Sequence, residues 1–348
     1  MKRILLIVLL VAVMVFPGVA SAAVRVGVAM PTQSLQRWNQ DGSNMKAQLE
    51  AAGYVVDLQY ANNDVALQVS QIENMILNGA EILVIASIDG ASLGTVLAVA
   101  KDEGIPVIAY DRLIMATDAV SYYATFDNYM VGTIQGEYLV EKLELATRKD
   151  PVNIEIVGGS ADDNNARYFY QGAYDAIAPY LESGIVVVPS DQIAFESVAT
   201  MAWSSERAQA RMDNLIAAHY SDGTKLDAVL CSNDSTALGV TNSLVNAGFE
   251  EFPVITGQDC DIANTKNILA GRQSMSIFKD TRTLASQVVG MVNAILSGQE
   301  PEINDTETYD NGTGIIPSFL CDPVFADASN YKELLIESGY YAEADLAS

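Results

Sequence analysis

The chain has 348 residues, half of them hydrophobic, which is enough to build a sizeable core and excludes a disordered or fibrous protein. Its 44 Asp and Glu against 19 Lys and Arg give a formal charge of −25, which repels phosphate backbones and anionic membranes, so no nucleic-acid partner is expected. The one histidine, His219, and three cysteines without CxxC spacing argue against metal sites, and no metal or cofactor is expected.

In chain order, Lys2 and Arg3 precede an unbroken apolar run, Ile4–Phe16, which Pro17 and Gly18 end. Ala20, Ser21 and Ala22 then supply a small-x-small cleavage pattern. This reads as a signal peptide over residues 1–23, too short in its apolar part to span a bilayer, and places the mature chain in a periplasm. Strands are predicted at Val24–Ala29, Val55–Tyr60, Ile82–Ile85, Val107–Ala109 and Tyr122–Thr125. A second series is predicted at Asn153–Val157, Ile185–Val188, Ala228–Leu230, Val254–Thr256 and Ser274–Phe278. Between them the spacing predicts helices over Val65–Leu77, Ala91–Asp102, Val131–Leu145, Ala208–Ala218 and Leu284–Leu296. The alternation implies an α/β protein with parallel sheets, and so many strands imply two lobes rather than one. Pro301–Pro317 has no helical or strand period and reads as a crossing between lobes.

In open parallel sheets ligands bind beyond the carboxyl ends of the strands. Gln33, Arg37 and Trp38 follow the first predicted strand, Asp89 the third, and Asp111 and Arg112 the fourth. In the second series Gly158–Asn165, containing Asp163, follows the first strand, and Trp203 lies beyond the second. Asn233 and Asp234, then Gln258 and Asp259, then Lys279, follow the remaining three. Carboxylates, amides and cations gathered with the chain's two tryptophans suit a neutral polyol, whose hydroxyls donate and accept while its C–H face stacks on indole. Neither GxGxxG nor GxxxxGK is present to cradle phosphate.

Plainer roles compete for the same residues. An Asp at a strand end is commonly a helix N-cap or Asx turn, and Asp234, before Ser235–Asn246, is read as such a cap; Asp89 and Asp162 are open to the same reading. Gly158 and Gly159 read as a tight turn, and His219 as a C-terminal helix cap. For Cys231 and Cys260, which both follow strands, two buried thiols are expected over a disulfide.

With Arg37 and Trp38, Ser70–Met75, Ala109–Arg112, Thr125–Asn128, Gly158–Ser160, Asp163–Ala166, Ser232–Asp234, Gly257–Asp259 and Phe278–Lys279 in this order, the whole mature chain resembles the periplasmic sugar-binding proteins of ABC transporters. It is most similar to their xylose-binding and multiple-sugar-binding branch. Ser232–Asp234 follows the former pattern, Ala86–Gly90 and Ser121–Thr125 the latter. The resemblance implies a type I periplasmic binding protein fold: two Rossmann-like lobes, a three-crossing hinge and a ligand cleft between them. The expected division puts 24–127 and about 260–305 in a first lobe, and 128–259 and about 306–348 in a second.

Positions matching the family's sugar contacts are Arg37, Trp38, Asp89, Asp111 and Arg112 from the first lobe, Asp163, Asn165, Trp203 and Asn233 from the second, and Asp259 and Lys279 at the hinge. The implied protein is a monomer without catalytic residues that binds an aldopyranose such as xylose, glucose, galactose or arabinose. Its implied partner is an inner-membrane permease, and a chemoreceptor or sensor is compatible. Two other classes compete. A secreted carbohydrate-active enzyme would use paired carboxylates such as Asp111 and Asp259, but HExxH is absent and no candidate base stands beside an obvious nucleophile. A sugar-responsive transcription regulator would need a basic DNA-binding segment where the signal peptide stands.

Overall fold

Residues 23–347 are described by a computed structural model; the predicted signal peptide up to Ala22 lies outside the described residues. Twelve strands follow in chain order: β1 (Arg25–Met30), β2 (Val55–Tyr60), β3 (Ile82–Ile85), β4 (Val107–Tyr110), β5 (Tyr122–Phe126), β6 (Val152–Val157), β7 (Val186–Val187), β8 (Ala228–Cys231), β9 (Val254–Ile255), β10 (Met275–Phe278), β11 (Ser318–Cys321) and β12 (Val324–Asp327). The first helices are α1 (Gln36–Ala51), α2 (Val65–Leu77), α3 (Gly94–Asp102), α4 (Asn128–Lys142) and α5 (Asn165–Glu182). No helix among the described residues is long and apolar enough to cross a membrane.

The first lobe is a sheet in the order β11-β5-β4-β3-β1-β2, every pair parallel. Its inner strands are continuous apolar runs because helices cover both faces, as β3, buried along its whole length, shows. One face packs on α1 and the helix Thr281–Leu296, the other on α2 and α3. The second lobe is a parallel sheet in the order β7-β6-β8-β9, similarly covered on both faces. β10 extends it, Ser274 and Ile277 donating to Ile255 and Gly257, and pairs antiparallel with β12.

The chain passes between the lobes after β5, after β10 and between β11 and β12. An aspartate cap ends each of the first two passages: Asp127 accepts from the Met130 N–H, and Asp280 from that of Arg282. The expected division of the tail is thereby corrected. Residues 260–278 belong to the second lobe, because the crossing falls after Phe278. Residues 306–321 belong to the first, where Tyr309 and Ile316 enter the core and β11 covers the edge of β5.

In the second lobe α4 and α5 touch through glycines. A β-carbon on Gly172 would stand 2.1 Å from the Tyr129 carbonyl oxygen, and one on Gly132 would stand 2.0 Å from that of Phe169. Backbone cannot yield as a side-chain end can, so Gly172→Ala is expected to lower stability by about 1–3 kcal/mol. A urea unfolding midpoint equal to that of the wild type would contradict this.

Candidate functional site

The carboxyl ends of both sheets face one cavity. α1 brings Arg37 and Trp38 to it, the β4 end Asp111 and Arg112, α5 Asn165 and Phe169, the β8 end Asn233 and Ser235, and the β10 end Lys279. Asp163, Trp203, Gln258, Asp259, Asp261 and Leu35 complete the wall. Ten of the eleven candidate residues therefore line one space. Asp89 does not; its carboxylate accepts from the Ala91 N–H at 2.8 Å and shapes a turn, as the plainer reading allowed.

Arg37 is the electrostatic centre. Its Nε donates to Asp41 at 2.9 Å, one Nη to Asp259 at 3.0 Å, and the other Nη to Asp111. Burial alone would discourage its charge, but Asp111, Asp41 and Asp259 more than reverse that. Burial likewise opposes ionisation of Asp111, yet Arg37, Lys279 and Arg112 hold its carboxyl below the usual range. Arg112, from the first lobe, reaches Asp163 of the second at 3.0 Å and donates to the Ser87 and Ile88 carbonyls. Burial pushes Asp163 up nonetheless. Gln68 of α2 holds the Ser87–Ile88 turn in place, donating to the Ala86 carbonyl and accepting from the Ile88 N–H, both at 2.9 Å.

The two indoles line the cavity in different settings. Both guanidiniums lie over Trp38, Arg37 at 5.4 Å and Arg112 at 5.0 Å from the ring centroid. Trp203 packs edge-on against Phe169, with centroids 6.2 Å apart. It also corrects the reading of Gly158 and Gly159 as a tight turn: a β-carbon on Gly159 would stand 2.1 Å from the Trp203 ring, so glycine is there to admit the indole. Trp203, Asp111 and Asp259 adopt the left-handed backbone region, with φ of 55°, 58° and 100°. Such conformations cost about 1–3 kcal/mol each and persist where the surroundings impose them.

Further corrections concern helix ends. Asn233, rather than Asp234, caps the helix that follows β8, its Oδ1 accepting from the Thr236 N–H at 3.0 Å, which leaves its amide nitrogen as the donor available to a ligand. Asp234 instead accepts from Gln273, Ser276 and the Asp261 N–H, and burial raises its carboxyl well above the ordinary range. Asn165 spans the lobes, donating to the Asp111 carbonyl and accepting from the Tyr123 hydroxyl. All three cysteines are free and buried, so Cys231 and Cys260 do not pair.

Residues outside the candidate set also build the site: Asp41 behind Arg37, and Leu35, Phe169, Ser235, Gln258 and Asp261 in the wall. Four buried polar atoms of the wall make no hydrogen bond within the described residues: Arg112 Nε, which meets Asp163 only as an ion pair, Trp203 Nε1, Gln258 Oε1 and Asp261 Oδ1. Two donors and two acceptors left without hydrogen bonds are costly unless a polar ligand meets them.

Two parallel-sheet lobes joined by three crossings, closing a charged and aromatic cavity between their strand ends, define a two-lobed solute-binding protein. The chain belongs to the periplasmic binding protein domain family, which it matches over residues 26–300. It is 49% identical to the multiple sugar-binding periplasmic receptor ChvE of Rhizobium radiobacter, over 95% of this chain and 94% of that protein. It is 36% identical to the D-xylose-binding periplasmic protein of Escherichia coli K12, over 93% and 92%. Among solved structures, an ABC transporter solute-binding protein of Clostridium phytofermentans with bound β-D-glucose is 70% identical, with a TM-score of 0.92 over 93% of this chain and all of that one.

Proposed function

We propose that the protein is a periplasmic receptor, exported by its signal peptide, that captures an aldopyranose and delivers it unchanged to the permease of an ABC transporter. The carrying observation is the pairing of Trp38 and Trp203 with a wall of buried cations, carboxylates and amides. The C–H faces of a pyranose stack on the indoles. Arg37, Arg112, Lys279 and the Asn233 amide donate to its hydroxyls, while Asp111, Asp163 and Asp259 accept. Asn165 joins the lobes over the ligand. The relatives' names and the bound glucose of the 70% identical structure support the same class, with D-glucose the first candidate. Contacts from both lobes favour the closed form, whose composite surface a permease recognises.

The enzymatic alternative needs Asp111 or Asp259 as a proton-donating acid. Arg37 sits between the two and Asp111 is held low, which favours a receptor. Calorimetry on sugar-stripped protein with glucose, xylose, galactose, arabinose and ribose tests the reading. Saturable heat with an aldopyranose, the sugar recovered intact, is the expected result. Silence across the panel, or turnover of the sugar, overturns it.

A further inference from the structure

Asp41 is fully buried one helical turn beyond Arg37 and does not line the cavity. Its Oδ2 accepts from Arg37 Nε at 2.9 Å and its Oδ1 takes the Tyr110 hydroxyl, so both oxygens are used. The neighbouring Gly42 admits the Tyr60 hydroxyl where a β-carbon would stand, and that hydroxyl donates to the Trp38 carbonyl at 3.3 Å. A buried acid of this kind adds little stability over an apolar residue, so its role lies in what it orients. Holding Nε stops the guanidinium from rotating and sends its two Nη groups to Asp111 and Asp259.

Building on the sugar reading, we propose that Asp41, held by Tyr110, is a positioning residue that fixes the plane of Arg37 and so makes sugar affinity depend on pH. Burial, working against Arg37, pushes the Asp41 carboxyl up to about 6. Above that value Asp41 is ionised and grips Nε; as pH falls through it the grip weakens and affinity drops. The groups facing Asp41 are Arg37 on its own helix, Asp111 and Tyr110 from β4 and its end, Tyr60 from β2, and Tyr340 from the C-terminal segment. Asp261, raised to about 7 by burial and then by Asp259, also titrates at the cavity wall, so the assignment rests on variants.

Calorimetry with D-glucose, in steps from pH 7.5 to 5.5, compares the wild type, Asp41→Asn and Tyr110→Phe. Asp41→Asn is expected to raise Kd about tenfold or more at pH 7.5, the loss of one charge-assisted hydrogen bond, and to flatten the fall between the two pH values. Tyr110→Phe removes a donor that stabilises the carboxylate and is expected to move the midpoint above 6. Glucose binding by Asp41→Asn that matches the wild type at both pH values overturns the proposal, as does an unmoved midpoint in Tyr110→Phe. The Arg37 Nε–H resonance in ¹H–¹⁵N spectra of sugar-free wild type decides the matter independently of any ligand. A titration near pH 6 supports the proposal and its absence refutes it, even if glucose fails to bind and the sugar reading falls.

Discussion

Arg37→Met is expected to abolish sugar binding and to lower stability by about 3–5 kcal/mol, the cost of removing one partner from a buried charge cluster. Methionine fills much of the same volume, so the loss is electrostatic rather than a cavity effect. Asp41, Asp111 and Asp259 would then lie together with Lys279, 3.8 Å from Asp111 and 3.4 Å from Asp259, and Arg112, which also acts on Asp111, as the remaining cations. Arg37→Lys is expected to recover only part of the loss, because an ammonium cannot present three fixed donors to three carboxylates.

The pH dependence has a definite sign. In the wild type the depressed Asp111 carboxyl contributes stability that is present above the unfolded carboxylate range and lost as pH falls through its lowered folded value. Without Arg37 the carboxylates instead hold their protons more tightly in the folded state, so acidification favours folding. The gap between variant and wild type should therefore narrow from pH 7 to pH 5. Urea unfolding at the two pH values checks this, read as a midpoint because two lobes need not unfold in one step. A gap that widens on acidification would show that Arg37 is not the counter-charge.

How far the sequence reveals this arrangement depends on the kind of contact. The apolar runs of β3 and β4 mark buried parallel strands, and the polar residues after each strand mark one cavity, because the topology of parallel sheets sends those ends to the same side. β11 and β12 carry no comparable pattern. Ser318–Cys321 opens on a serine and is only part-buried at Phe319 and Leu320, and its place beside β5 is set by the edge it covers, which no local pattern marks. Asp41 stands four residues after Arg37, a spacing that puts both on one helix face, but nothing local says that this face points inward. Phe169 follows Asn165 by the same spacing. Asp89 and Asp111 each stand at a strand end with a neighbouring hydrogen-bond partner; one closes a turn and the other meets Arg37, a distinction that only the tertiary structure makes.

Arg112→Leu is expected to act mainly on closure and less on folding, the reverse of the balance in Arg37→Met. Arg37 is gripped by Asp41 within its own helix and by Asp111 within its own lobe, and those contacts survive when the lobes part. Arg112 faces Asp163 across the lobes, so that pair exists only in the closed form; on opening Asp163 returns to water while Arg112 keeps its bonds to the Ser87 and Ile88 carbonyls. Truncating one partner of a buried cross-interface pair costs about 2–5 kcal/mol, which corresponds to a Kd raised by roughly 30-fold to several thousandfold. Burial has already raised Asp163, so leaving it alone in the closed cavity makes it take up a proton or keep the lobes apart. The sugar-free variant should lose only about 1–3 kcal/mol of unfolding free energy, the cost of the unpaired Ser87 and Ile88 carbonyls, a smaller fall than that of Arg37→Met. In small-angle scattering, the shrinkage on adding glucose should vanish at concentrations that close the wild type. Asp163→Asn should move Kd in the same direction, and the double variant should cost less than the two single costs together, because both remove one contact. A fall in the unfolding midpoint as large as that of Arg37→Met, with affinity unchanged, would place Arg112 in the fold rather than in closure.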